Sequence, residues 1–167
     1  MTANMVLLEK ITVGAAGAAS VTFSGIPQIG YTDLVVKLSG RSSYSGAGNP
    51  SVYIKPNGSV ASAERRVYGN GSTAASNTNL GGDWITSSAM TTNTFSNTEL
   101  YFPNYTNTNA YKSFSVDNVM ENNATQSQAS LMAGIVNSNS PISSLSFATD
   151  GNFTQYSTAT LYGIRKY

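Results

Sequence analysis

Apolar and polar residues alternate with a period of two along most of this chain, and no stretch shows the wider apolar spacing of an amphipathic helix. In the clearest example, Leu34, Val36 and Leu38 share one side of a predicted strand, whereas Asp33 and Lys37 point to the other side. The pattern therefore predicts strands that bury one face of a sheet. The same alternation occurs at 21–23, 100–102, 114–116, 145–147 and 155–166.

Turn-forming residues separate these runs, because Gly, Pro, Asn and Asp favour the backbone conformations of tight turns. Two longer polar stretches, 42–50 and 70–82, are expected to be surface loops. About nine or ten short strands joined by turns predict an all-β protein, an antiparallel β-sandwich of jelly-roll type. We expect a single domain over residues 1–167. The turn signals are 14–17 (Gly-Ala-Ala-Gly), 56–58 (Pro-Asn-Gly) and 150–152 (Asp-Gly-Asn).

Two segments, 5–13 and 127–136, are more continuously apolar, which predicts that both of their faces are covered. The run from Met5 to Leu8 is too apolar to be left in water. We therefore expect an N-terminal arm at about residues 1–8 that extends onto a neighbouring subunit, with Met5 and Leu7 among its contacts.

The polar surface depends on hydroxyls and amides rather than on charge. Ser, Thr, Asn and Gly supply 74 of the 167 residues, whereas charged residues make up only 10% and give a net charge of +1. This balance excludes a strong non-specific nucleic-acid binder, which needs clustered Lys and Arg. Because Glu9 and Lys10 interrupt the first apolar run and no basic region precedes it, we expect neither a signal peptide nor a membrane span.

The residue types also restrict the chemistry. The chain contains no Cys and no His, which removes thiolate and Ser-His-Asp nucleophiles, and nearly every zinc site. Most of its eight carboxylates lie on the polar side of a strand or in a turn, where they are expected to be solvated. The sequence therefore predicts no catalytic residues, no bound metal and no cofactor.

Tyrosine is abundant, with ten residues beside six Phe and one Trp. Tyrosine beside Asn and Ser is typical of a protein interface or of a sugar-stacking site. The alternative interpretation is that these rings pack over sheet edges. With Met5 and Leu7, the predicted partner contacts are Tyr44, Tyr53, Tyr68 and Tyr105.

Three segments together resemble small virion structural proteins of tailed bacteriophages, especially those of marine and cyanobacterial hosts. They are IPQIGYTDLVVKLSGR (26–41), FSNTELYFPNY (95–105) and NFTQYSTATLYGI (152–164). The resemblance implies a β-sandwich or jelly-roll protein that binds the outside of a capsid as a cement (decoration) protein, often as a trimer. These motifs match strands and turns, so the resemblance implies no catalytic residue.

The leading hypothesis is thus a non-enzymatic capsid cement protein that is made in the host cytoplasm and bridges major capsid protein subunits on the virion exterior. A homotrimer is the expected form, with neither nucleic acid nor membrane as a partner. The alternative is a carbohydrate-binding receptor-recognition domain of a tail fibre or baseplate. A small glycan-cleaving enzyme is a third hypothesis, which the lack of His and of any catalytic motif disfavours.

Overall fold

The structure, a computed structural model, describes residues 4–79, 82–121 and 127–165. These ranges contain strands, turns and loops but no helix, and hence no helix long and apolar enough to cross a membrane. The all-β, antiparallel prediction is confirmed, since every strand pair except the short β3–β8 pair is antiparallel. The strands are β1 (Met5–Thr12), β2 (Ala18–Phe23), β3 (Tyr31–Ser42), β4 (Ser51–Pro56), β5 (Ser62–Gly69), β6 (Ala74–Asn79), β7 (Gly82–Trp84), β8 (Thr86–Ser87), β9 (Ser96–Phe102), β10 (Lys112–Glu121), β11 (Ser127–Val136), β12 (Leu145–Phe153) and β13 (Thr158–Arg165).

These strands form one continuous, curled sheet with two parts. In the larger part, here called the major sheet, the order is β6-β5-β11-β10-β9-β3-β13-β1. In the smaller part, the minor sheet, the order is β2-β12-β4-β7. Strand β3 joins the two parts, because its last residue, Ser42, pairs with Phe153 of β12 and also with Ser87 of β8.

The inward side chains of both parts gather in one core. As the alternation predicts, Leu34, Val36 and Leu38 are fully buried, and Lys37 between them is exposed. Removal of these apolar side chains from water is the main force that closes the sheet on itself. Two phenylalanine pairs fill the centre, Phe23–Phe147 (edge to face, centroids 6.4 Å apart) and Phe102–Phe114 (stacked, 5.1 Å).

The stretch 70–82 is not a loop throughout, because it contains the whole of β6. The side chains of residues 74–78 are all exposed, since β6 lies at the edge of the major sheet and faces solvent on both sides. A strand in this position needs no alternation of apolar residues. The sequence pattern therefore gave no sign of it.

The prediction of a free N-terminal arm is wrong for residues 5–8. These residues begin β1, which pairs with β13 of the same chain, with Met5 opposite Ile164 and Leu7 opposite Tyr162. The backbone N–H of Arg165 also donates to the carbonyl oxygen of Asn4 at 2.8 Å. Residues 1–3, the rest of the predicted arm, lie outside the described residues.

Val36→Asp tests the register of β3. This substitution places a carboxylate without a cation at a fully buried position, so it is expected to destabilise the fold by several kcal/mol. Ser39→Asp, on the exposed side of the same strand, is the matched control and is expected to cost less than about 1 kcal/mol. Urea unfolding measures both, and a cooperatively folded Val36→Asp protein of nearly normal stability would contradict the register.

Candidate interaction surface

The outward side chains of the major sheet form one broad face, here called the outer face. The strand registers order them in cross-strand rows that bring residues from both ends of the chain together. One row runs Ser76–Val67–Leu131–Asp117–Glu99–Lys37–Thr160–Lys10, and the next runs Thr78–Arg65–Ala133–Ser115–Tyr101–Val35–Tyr162–Leu7. The outer face therefore has apolar residues towards its two sides, with Asp117, Glu99 and Lys37 in the centre and one further charge at each side, Lys10 and Arg65.

One apolar area, here called the first patch, lies at the β1 side of the outer face. It comprises Met5, Leu7, Tyr101, Tyr162 and Ile164, and Leu7 is its most exposed aliphatic side chain at 56%. Two residues predicted as partner contacts, Met5 and Leu7, thus lie side by side on an accessible surface. They lie there as part of the sheet rather than as part of an arm.

A second apolar area, the second patch, lies at the other side of the outer face on β5, β10 and β11. It comprises Val67, Val119, Leu131 and Ile135, and Val67 and Leu131 are 57% and 59% exposed. The apolar composition of 127–136 led us to expect both faces of this segment to be covered. That expectation is wrong within the described chain, because β11 buries one side and exposes the other.

Two shallow clefts follow the second patch, with volumes of about 680 and 610 Å³. Val67 and Leu131 belong to the lining of both clefts, and hydroxyl groups such as those of Ser76 and Ser115 lie beside them. Contiguous exposed apolar area of this kind usually marks a contact site. In the sequence, the only signal of the second patch was the continuous apolar run at 127–136, which does not show which side of the strand faces outward.

Charge contributes little to the outer face. Lys37 Nζ lies 3.0 Å from Glu99 Oε2 in an ion pair in which both side chains are about half exposed. Such a pair stabilises a protein by about 1 kcal/mol at most. No group of three or more His, Cys, Asp or Glu that could hold a metal occurs in the described ranges. The other charged side chains in its two rows, Lys10, Arg65 and Asp117, are exposed, so the face combines apolar contact with hydrogen bonding and a few dispersed charges.

Tyr68, another predicted contact, points away from the outer face into a buried polar network. Its ring lies edge to face with the indole of Trp84, with 4.8 Å between centroids. The guanidinium carbon of Arg66 lies 3.5 Å from the centroid of the same indole, within the range of a cation–π interaction. Trp84 therefore packs on β5 and does not form an open binding platform.

Asp83 is the centre of this network. It accepts hydrogen bonds from Arg66 Nη1 at 2.8 Å, from the backbone N–H of Trp84 at 2.7 Å and from Ser130 Oγ at 2.7 Å. The side chains of Arg66 and Asp83 are 2% and 0% exposed. Three bonds to one buried carboxylate compensate for its loss of hydration. The network thereby holds β7 of the minor sheet against β5 and β11 of the major sheet.

A glycine at the start of β7 allows this strand to lie close to β4, its neighbour in the minor sheet. Gly82 has a φ of +153°, and a Cβ atom at this position would lie 1.7 Å from the carbonyl oxygen of Val52 in β4. No residue with a side chain fits there. Asp83 and Trp84 are positioned by the strand that this glycine begins.

The remaining predicted tyrosines do not join the outer face. Tyr105 is fully buried in the core, where its hydroxyl donates to the carbonyl oxygen of Pro27, so its prediction as a partner contact is wrong. Tyr53 is half-buried in β4, and its hydroxyl donates to Asp150 Oδ1 at 2.8 Å. Tyr44 is half-buried in the β3–β4 loop. The six predicted contacts therefore do not form one site.

No family model matches this chain, and comparison with curated proteins and with solved structures gives no match. What the outer face can do follows from its own chemistry. A wide face with two apolar patches and many hydroxyls has the composition of a protein-binding surface.

A double-mutant cycle tests the buried ion pair. Arg66→Met leaves the Asp83 carboxylate buried without its cation and is expected to cost about 3–5 kcal/mol of unfolding free energy. Adding Asp83→Asn removes the stranded charge, so the double variant is expected to be more stable than the two single costs predict. Urea unfolding of all four proteins measures the coupling energy.

The exposed pair Lys37 and Glu99 is the matched control for this cycle. Lys37→Met combined with Glu99→Gln is expected to show a coupling of less than about 1 kcal/mol. If the coupling between Arg66 and Asp83 were as small as this, the network would not hold the two sheets together.

Alkaline pH is expected to weaken the fold through Tyr53. The hydrogen bond to Asp150, burial and the negative charge of Asp150 raise the pKa of the Tyr53 hydroxyl above its ordinary value. The folded state then keeps a proton that the unfolded state loses near pH 10, so this stabilisation is complete below that pH and is lost as the pH rises through the folded pKa.

Unfolding free energies of the wild type and Tyr53→Phe between pH 8 and pH 11 test this. The wild type is expected to lose stability more steeply above about pH 10 than the variant, which has no phenol to ionise. Asp150→Asn, which removes the negative charge, is expected to be intermediate. Parallel profiles for all three proteins would show that the contact does not perturb Tyr53.

Proposed function

We propose that this protein is a non-enzymatic structural component of a tailed-bacteriophage virion, a cement (decoration) protein that binds the capsid exterior. It is made in the host cytoplasm and stabilises the particle as a homotrimer that bridges major capsid protein subunits. The proposal includes a β-sandwich of jelly-roll type, for which the single core shared by the major and minor sheets is the structural support.

The observation that carries the proposal is the outer face. Its first and second patches expose apolar side chains on a sheet that is held rigid from behind by the core and by the Arg66–Asp83 network. A cement protein has to resist separation of the subunits that it bridges, and a rigid sheet transmits such force better than a loop does. Few charges on the face also suit contacts that survive changes in salt.

Carbohydrate binding at a tail fibre or baseplate is the second candidate function. Tyr111 supports it, because its ring is 60% exposed in a loop beside Asn107 and Asn109. A flat, accessible aromatic ring next to amides is the combination that stacks on a sugar and hydrogen-bonds its hydroxyls. Sugar binding that is lost in Tyr111→Ala and kept in Leu131→Lys would favour this function.

Copy number in purified virions separates the two functions. A capsid cement protein is expected in numbers comparable to the major capsid protein, whereas a tail protein is expected in a handful of copies. Particles that lack the protein are expected to release DNA at lower temperature or on milder osmotic shock. Equal tolerance of heat and shock with and without the protein would contradict a cement role.

Retention on particles tests the outer face itself. Leu131→Lys and Leu7→Lys each place a charge in one of the apolar patches, so they are expected to reduce retention, whereas washing with molar salt is not. Ser20→Lys on the exposed side of the minor sheet is the matched control and should bind as the wild type does. If salt strips the wild type, or both patch variants bind normally, the neutral outer face is not the contact.

A further inference from the structure

The edge strands of the described sheet, β1, β2, β6, β7 and the two-residue β8, differ in how well they are protected against pairing with another chain. An edge strand presents unpaired backbone N–H and C=O groups, which proteins usually shield by charge, by a bulge or by a short strand. β1 carries Glu9 and Lys10 and has a shifted register after Leu7. β7 has only three residues, and β2 pairs with β12 in an interrupted register.

Strand β6 has none of these protections. Its sequence, Ala-Ala-Ser-Asn-Thr-Asn, has no charge and no proline, and its pairing with β5 runs without a shift from Ala74 to Asn79. In the described ranges β5 is its only strand neighbour, and the side chains of residues 74–78 are exposed. An uncharged, regular edge of this length is a template for another strand.

The hairpin between β5 and β6 determines which backbone groups of β6 face outward. The N–H of Asn70 donates to the carbonyl oxygen of Thr73 at 3.2 Å, which makes this a hydrogen-bonded pair. Bonded and non-bonded pairs alternate along an antiparallel ladder. Counting from this pair along the register, Ala74, Ser76 and Thr78 fall in non-bonded pairs, so their N–H and C=O groups point to the open edge.

We propose that β6 pairs with β6 of a second copy of this chain, antiparallel, about a two-fold axis through Ser76. In this register Ser76 lies opposite the partner's Ser76, and Ala74 lies opposite the partner's Thr78. The backbone N–H and C=O groups of Ala74, Ser76 and Thr78 in each copy then pair with those of the other copy, which gives six N–H···O bonds between the two β6 strands. The contact goes beyond the proposed function and does not depend on it.

The chemistry of the edge favours a second copy as the occupant. All directly opposed side chains are uncharged, so no like charges meet. Arg65 lies beside Thr78 in its row, and this row continues into the partner's Ala74 and Gly69, so the two arginines are not opposed. Pairing also uses up the β6 edges of both copies, and the strands left at the two ends of the joined major sheets are the shielded β1 strands.

Pairing would join the apolar areas of the two copies. The row Val67–Ser76 continues into the partner's Ser76 and Val67, so the second patches and their clefts lie on the same side of one extended sheet. Three paired residues per strand bury much less than the roughly 1,200 Å² typical of stable complexes. The contact is therefore expected to be weak and to depend on protein concentration.

Sedimentation of the purified full-length protein over a concentration series tests the proposal. The wild type is expected to change, as concentration rises, from the mass of the dilute species to twice that mass. Ser76→Lys places two ammonium groups opposite each other at the axis and is expected to abolish the doubling. An equimolar mixture of Ser76→Lys and Ser76→Asp is expected to restore it, because opposite charges then face each other.

Two controls make the result decisive. Ser20→Lys introduces the same charge on another uncharged edge strand, β2, and is expected to double as the wild type does. Thermal unfolding of the Ser76 variants checks that they fold, as expected for an exposed side chain. A wild type of constant mass, open-ended growth, doubling that persists in Ser76→Lys, loss of doubling in Ser20→Lys, or failure of the charge-swapped mixture would each overturn the β6 contact.

Discussion

Arg66 and Asp83 form an ion pair that has almost no access to water. The residues packed around this pair supply hydrogen bonds to the carboxylate and an aromatic ring over the guanidinium. Burying two charges is costly, and the cost is met only where additional hydrogen bonds complete the pair. Here the bonds come from Ser130 on β11 and from the backbone of Trp84 on β7, while the indole covers the guanidinium. Strands from both parts of the sheet must therefore be in place together, which ties the minor sheet to the major sheet.

This network also explains why apolar side chains are found outside. At this end of the major sheet the usual distribution is reversed, since β5 turns Arg66 inward and Val67 outward, and β11 turns Ser130 inward and Leu131 outward. The polar interior is stable because its members bond to one another. The apolar exterior is not buried within the described chain, and exposed apolar area of this kind usually marks a contact site.

The outer face and the edge strand β6 share one property, which is that charge is sparse on both. The two rows of the outer face carry five charged side chains of both signs, and the edge strand β6 carries none, so neither has a charge of one sign that would strongly repel another chain. The same composition leaves hydroxyl and amide groups free to make neutral hydrogen bonds. These properties are consistent with the proposed role, in which many weak contacts are repeated over a regular surface.

The alternation of apolar and polar residues and the turn-forming residues depend only on neighbours in the sequence, and they determined where many of the strands and turns of this protein lie. The burial of Leu34, Val36 and Leu38 follows from a period of two, and the Asn57-Gly58 turn follows from residues that tolerate positive φ. Only the tertiary structure decided that Tyr105 is buried, that β6 is a strand, and that Arg66 meets Asp83. These outcomes depend on which strands become neighbours, and strand order is set by packing between segments distant in sequence. The local sequence also could not show that Leu131 faces water. An apolar residue next to a polar one gives the same alternating pattern whichever of the two points inward.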